Sequence, residues 1–392
     1  MMKKLNELDL LDEIISIDSS NPGPGEEELA RFFQALSKEH GFESEILEGK
    51  AGRSNLIIRI DAGDGKKLGF SGHLDTKPVG DALQEWNSPP WKLTIDGDLG
   101  YGLGTSDMKG ALAAFFVAAS EWADSAKSGL LSLIFTADEE AGSVYGSKFL
   151  SEKVPLDVEA ILVGEPSGVS KPWESIFTVS RGISCFEIII HGRQGHSGLS
   201  RTLPTSANLG AAKAAIAISE MKLQIPKSFA PEHVTVNSAI KLSGGVTYGV
   251  HPGEAKVACD IRIIPGMQQQ DVLSELTKTL NTALPSDLSW KIRWEEGFGW
   301  MEAVQIPDEH SLVTSCQRAA MSILGYEVPL GIYPGGTDAS HFSKIAKIPS
   351  LASFGPGWLS VAHGPNECVG LSQVTQAKKM YKLILEDYLE NH

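Results

Sequence analysis

Few cysteines, a shortage of basic residues and no long apolar run set the first limits on this 392-residue chain. Its four cysteines, Cys185, Cys259, Cys316 and Cys368, stand far apart without a C-x-x-C pair. A disulfide framework is therefore not expected, and the thiols read as reduced and mostly buried. Lys and Arg total 34 against 49 Asp and Glu, a net charge of −15. That balance lacks the basic footprint by which a nucleic-acid binder displaces counterions from phosphate. The longest apolar run, residues 111–119, is far below the ~20 residues that a bilayer span requires. The start, Met1-Met2-Lys3-Lys4-Leu5, imitates the basic end of a signal peptide, but Glu7, Asp9, Asp12 and Glu13 interrupt any apolar segment behind it. A cytoplasmic protein with neither nucleic-acid nor membrane partners is expected. Internal repeats and low-complexity linkers are also missing.

What is present is material for a sizeable core. Apolar residues make up 42% of the chain and charged residues 21%, which excludes wholesale disorder. At about 150 residues per domain the length suggests two or three domains, or one with an insertion. Leu8, Leu11, Ile14 and Ile15 recur at helical spacing up to Ser19-Ser20-Asn21-Pro22, and a second helix follows Gly25. Strand-like runs at 44–47, 55–60 and 67–71, a helix over 109–124, a continuous apolar strand at 130–136, a short helix near 144–153 and a strand at 160–163 predict an α/β layer architecture. From Arg181 the pattern changes to strand 184–191, helix 206–221, strands 233–242 and 254–264, helix 268–283 and strand 289–294. This βαββαβ order is ferredoxin-like. The chain thus reads as an α/β domain in two pieces, 1–178 and 297–392, interrupted by a smaller α+β domain at 179–296.

Polar clusters sit at the ends of the predicted strands, where α/β sheets place their chemistry. Strand 67–71 leads to His73 and Asp75, strand 130–136 to Asp138-Glu139-Glu140, strand 160–163 to Glu165, and a predicted strand 350–354 to His363. A fifth cluster, Gly102 to Lys109, precedes the alanine-rich helix. It fails as a dinucleotide fingerprint because Asp107 stands where G-x-G-x-x-G needs its third glycine. Two histidines with several carboxylates at one sheet edge match first-row divalent metals, above all zinc. Two ions held ~3.5–4 Å apart need about five ligands, one of them bridging. His73, Asp107, Glu140, Glu165 and His363 supply that number. Asp75 is placed to take the second ring N–H of His73, and Glu139 to act as general base on a water.

The motifs SGHLDTKPVG (71–80), YGLGTSDMKGALAA (101–114), FTADEEAGS (135–143), VGEPS (163–167), GRQGHS (192–197), GGTDA (335–339) and FGPG…AHGPNE (354–367) span nearly the whole chain. In that order they resemble the acetylornithine deacetylase / succinyl-diaminopimelate desuccinylase family, relatives of aminoacylase and glutamate carboxypeptidase. The resemblance implies a dizinc hydrolase with a mixed central sheet flanked by helices and an inserted dimerisation (lid) domain. It implies that His73 and Glu165 hold one ion, Glu140 and His363 the other, and that Asp107 bridges them, followed by a cis bond. Glu139 would be base and then proton donor, with Asp75 supporting His73. His196 would reach a partner subunit's site and stabilise the oxyanion, where its bland reading is a surface-loop histidine. Arg262 matches the family's carboxylate-binding arginine, Gly336 and Thr337 offer further donors, and Asp338 reads as structural. Arg181 resembles an arginine of desuccinylase-like members, and without the resemblance it is a surface hinge residue.

One departure bears on substrate choice: Gly249 stands where the family often has Asn before Val250-His251-Pro252, so a substrate hydrogen bond is lost or taken over by His251. The expected activity is hydrolysis of the amide of an N-acyl amino acid by a homodimer carrying two divalent ions per subunit, zinc before cobalt or manganese. The alternatives are a dipeptidase or carboxypeptidase using the same residues, and a metal-free dimeric binding protein.

Overall fold

In the computed structural model, residues 5–390 are described, so the basic start Met1–Lys4 lies outside the described residues. The chain divides into two compact units, Met1–Ser180 with Val304–His392, and Arg181–Ala303. The first is built on a six-stranded sheet in the order Glu43–Lys50, Arg53–Asp61, Leu130–Thr136, Lys67–His73, Ala160–Val163, Ser350–Leu351. Its first three strands pair antiparallel and the remaining pairings are parallel, which makes the sheet mixed.

The run LLSLIFT lacks alternation because both of its faces are covered. Leu131, Leu133 and Phe135 enter one core with the helices Gly110–Ala123 and Leu371–Glu390, while Ile134 enters another with Ile57, Ile161 and Phe342. Each such fully buried Leu or Phe contributes ~1.5–3 kcal/mol of hydrophobic stabilisation. The Gly110–Ala123 helix is buried on nearly all sides, and its alanines let neighbouring elements approach closely. The strand expected at 350–354 is regular only over Ser350–Leu351. Its continuation turns away at Ser353, which bridges to Phe177 and donates its hydroxyl to the carbonyls of Glu165 (2.8 Å) and Pro166 (2.9 Å).

The second unit has the strand order Thr235–Gly244, Glu254–Ile263, Gly182–His191, Ser289–Trp294, all antiparallel. Helices Ala207–Ser219 and Gln269–Ala283 complete a ferredoxin-like βαββαβ fold. Strand Glu254–Ile263 buries every second residue, and Val257, Cys259 and Ile261 join Phe186, Ile188 and Ile190 in the core. The unit runs on to Ala303 because, beyond its last strand, Phe298 and Met301 bond back to Cys185 and Ile183. Among the described residues no helix is long and apolar enough to cross a membrane.

Candidate active site

Five segments of the first unit converge near the carboxyl ends of its parallel strands. His73 is the last residue of Lys67–His73. Leu130–Thr136 runs into a tight turn through Asp138, at φ 62°, that presents Glu139 and Glu140. Glu165 follows Ala160–Val163, and His363 lies in a later loop at φ 61°. Asp107 comes from the Thr105–Lys109 turn, which Gly104 enters at φ 81°, a conformation suited to glycine. The Asp107–Met108 peptide is cis.

Asp107 joins two sets of donors. Its Oδ1 is 2.9 Å from His73 Nε2 and its Oδ2 is 3.2 Å from His363 Nε2. His73 Nε2 is also 3.5 Å from Glu165 Oε1, and His363 Nε2 is 3.2 Å from Glu140 Oε2. The donors fall into two groups, His73–Glu139–Glu165 and Asp107–Glu140–His363, each with its atoms within 4.8 Å of one another. The His73 side chain is 1% exposed and that of His363 50%, so solvent reaches the site from the His363 side.

These residues fit divalent cations. Glu140 Oε1 is buried without a hydrogen-bond partner. Burial pushes Asp75 up to about 8 and Glu165 up to about 7, the neighbouring Asp107 charge adding to the second shift. Burial raises Glu139 well above the usual carboxylate range, and Glu165 and Glu140 add their repulsion. Asp107 differs: burial pushes it up, but hydrogen bonds with His363 and His73 outweigh this and hold it below that range. The hydrogen bonds to Asp107 and Glu140 raise His363 to about 11. Ionising these crowded, buried carboxyls calls for compensating positive charge. Imidazole nitrogen with carboxylate oxygen is the donor set through which zinc and its neighbours provide it.

The structure corrects the expected contact of Asp75. His73 Nδ1 lies 2.8 Å from the Asp75 backbone oxygen and 3.7 Å from its carboxylate, because the chain turns back on the ring directly after the strand. The carboxylate instead accepts from the backbone N–H groups of Glu139 (3.2 Å) and Glu140 (3.1 Å) and from Asn21 (3.0 Å). Asp75 therefore orients the Glu139–Glu140 turn. Asp338 serves the same turn from the other side, accepting from Thr136, Ser143 and Ser147.

Sequence reasoning passed over Glu367 and Tyr333. Glu367 is 2% exposed and accepts from three backbone N–H groups of the Asp107 segment: Gly104 (2.8 Å), Ser106 (2.9 Å) and Asp107 (3.0 Å). Tyr333 donates its hydroxyl to Glu165 Oε2 at 3.1 Å. The sequence offered only the place of Glu367 at the end of the AHGPNE motif. Glu367→Ala is expected to cost on the order of 3 kcal/mol in urea unfolding, because three buried N–H groups lose their carboxyl acceptor. A loss below about 1 kcal/mol would show that another group satisfies them.

The remaining candidates divide between the units. In the first, Gly336 is half-buried and Thr337 fully buried, its hydroxyl 3.5 Å from that of Ser180. In the second, His196 is exposed on the short ladder pairing Gly195–His196 with Val250–His251, and its Nδ1 accepts from the Gly198 N–H. Arg262 lies 3.5 Å from Asp260, and Arg181 donates toward Thr235 Oγ1 at 3.5 Å. Burial and the nearby Arg262 charge lower the Arg181 pKa, which marks two guanidinium groups close together. Gly249 has φ 81°, a left-handed position that glycine fills without strain. His251 is 7% exposed and its Nε2 lies 3.0 Å from the Pro204 carbonyl.

Residues 69–387 match the model of Peptidase family M20/M25/M40. The chain belongs to this family. As an M20 protein it is a metal-dependent hydrolase. It is 27% identical to the succinyl-diaminopimelate desuccinylase of Wolbachia pipientis subsp. Culex pipiens, over 98% of this chain and 94% of that one. In fold it is similar to the M20 family metallo-carboxypeptidase Sso-CP2 from Sulfolobus solfataricus, with a TM-score of 0.80 at 20% identity, covering 98% of this chain and 99% of that one. It is similar also to the di-peptidase Dug1p from Saccharomyces cerevisiae, with a TM-score of 0.77 at 16% identity over 97% and 95% of the two chains.

Proposed function

We propose that this M20 hydrolase cleaves the amide bond of an N-acyl amino acid using two divalent cations per subunit, zinc being the best match to the donors. The observation that carries the reading is Asp107, whose two oxygens face His73 and His363 separately while Glu139 stands in the first donor group. His73 and Glu165 would hold one cation and Glu140 and His363 the other, with Asp107, which faces both histidines, shared between them. When bound, the pair supplies Lewis-acid polarisation of the amide carbonyl and compensates the charge developing there.

The protein's own groups do the rest. Glu139 takes a proton from the attacking water and returns it to the leaving amine nitrogen, so the C–N bond breaks with a neutral amine departing. Asp75 holds the turn that aims Glu139. His196 of a second copy of the chain donates to the carbonyl oxygen as its charge grows. Arg262 is the cation we assign to the substrate carboxylate, and Gly336 and Thr337 of the first unit are further donor candidates. Arg181 beside Arg262 favours a substrate with more than one carboxylate, as an N-succinyl amino acid has; the desuccinylase relative supports this choice of acyl group.

A homodimer is part of the same reading. Thr235–Gly244 is an edge strand, exposing Ile240 and Leu242, and the adjoining helix Ala207–Ser219 exposes Leu209 and Ile216. An open edge beside exposed apolar side chains suits pairing with an identical strand. We place the dimer in the cytoplasm.

Amine release from N-acetyl-, N-succinyl- and N-formyl-amino acids and from dipeptides tests the reaction. Acyl amino acids are expected to be cleaved, with activity lost to a chelator and restored by Zn²⁺. Release from dipeptides alone would assign a peptidase instead. Release unaffected by the chelator, or none from any substrate, would overturn the proposed function.

A further inference from the structure

Glu140 is shared between two claimants. Its Oε2 is 3.2 Å from His363 Nε2 and also 3.2 Å from the Lys77 ammonium, which in addition donates to the Glu140 backbone carbonyl. Its Oε1 is buried and has no hydrogen-bond partner. Lys77 is held at both ends of the same residue, so its charge stands fixed at the edge of the Asp107–Glu140–His363 group. The other group has no comparable arrangement at Glu165, whose Oε2 takes its hydrogen bond from the neutral Tyr333 hydroxyl. The Lys77 side chain is 33% exposed, so water screens its charge only in part.

We infer that Lys77 is a positioning residue that weakens cation binding at the Asp107–Glu140–His363 group and makes the two groups unequal. Acting through Glu140, it commits one carboxylate oxygen to an ammonium and leaves the other for the ion. It also sets a positive charge against the incoming cation. Two opposing effects are at work. Orienting Glu140 in advance favours binding, whereas charge repulsion and the commitment of Oε2 to the ammonium oppose it. Repulsion wins, because a unit charge acts on a divalent ion with twice the energy it exerts on a monovalent one, and in surroundings only partly screened. This inference rests on the two-cation reading above.

The test is calorimetric titration of the chelator-treated full chain with Zn²⁺ alone, with a chromophoric chelator in competition for the tighter constant. Wild-type protein is expected to show two unequal steps, and His363→Ala to lose the weaker one. Lys77→Met should tighten the weaker step by about tenfold or more while leaving the other step in place. Lys77→Arg, which keeps the charge, should behave as wild type. A Lys77→Met constant that is unchanged or weaker overturns the inference while leaving two-cation binding intact. A wild-type chain with fewer than two steps removes the two-cation reading and the inference together. Lys77→Gln repeats the measurement if circular dichroism shows that the methionine variant is unfolded.

Discussion

Glu139→Ala is expected to lower kcat by about 10²–10⁴-fold while two cations still bind. Glu139 lies in the same donor group as His73 and Glu165, so geometry alone admits it either as a ligand or as the base. The two roles separate in one experiment. A ligand deletion releases an ion; a base deletion leaves the metal content as it was and slows proton transfer. The base role agrees with how the residue is mounted. Its backbone N–H is held by Asp75, and burial raises its carboxyl well above the usual range, with Glu165 and Glu140 adding to the shift. A carboxylate with a raised proton affinity accepts a proton from water more readily. Wild-type turnover in Glu139→Ala would end the base assignment, and loss of one ion together with activity would make Glu139 a ligand.

His196→Ala is expected to cost about 10²–10³-fold in kcat with little change in KM, as removal of an oxyanion donor does. The more telling measurement mixes two inactive proteins. If His196 serves the site of a second copy, dimers combining a Glu139→Ala chain with a His196→Ala chain contain one site with both groups intact. Activity should then appear on mixing, after subunit exchange, that neither variant has alone. Continued silence, with exchange shown by a mass label, would mean that His196 and Glu139 of one chain work together. Near-normal activity of His196→Ala alone would return the residue to its reading as a surface-loop histidine. In the structure His196 is exposed on its short ladder, free to meet another molecule.

Much of the site was legible because its chemistry sits where local pattern changes. An apolar run buried on both faces must be a central strand, and the polar residues that end it must lie at the sheet edge. His73, Glu139, Glu140 and Glu165 were found in this way, each within a few residues of a strand end. The βαββαβ order of elements from strand 184–191 to strand 289–294 pointed to the ferredoxin-like unit as directly. The position of Asp75 was legible but its partner was not. Spacing of two residues from His73 suggested its carboxylate, and the turn of the chain delivered its carbonyl instead.

The class of fold, the donor types and their places at strand ends were readable from the residues, because these follow from hydrophobic periodicity and the fixed geometry of strands. Which groups hold those donors in place emerged from long-range packing alone. Glu367 reaches across 260 residues of chain to the Asp107 N–H, Asp338 across 195 to Ser143, and Lys77 across 63 to Glu140. These contacts join side chains to backbone groups or to small hydroxyls, which carry no periodic signal. Their partners are chosen by how the packed layers bring distant turns together. The electrostatic balance of the site follows from the same packing, since burial and neighbours, not residue type, decide which carboxylates give up their protons.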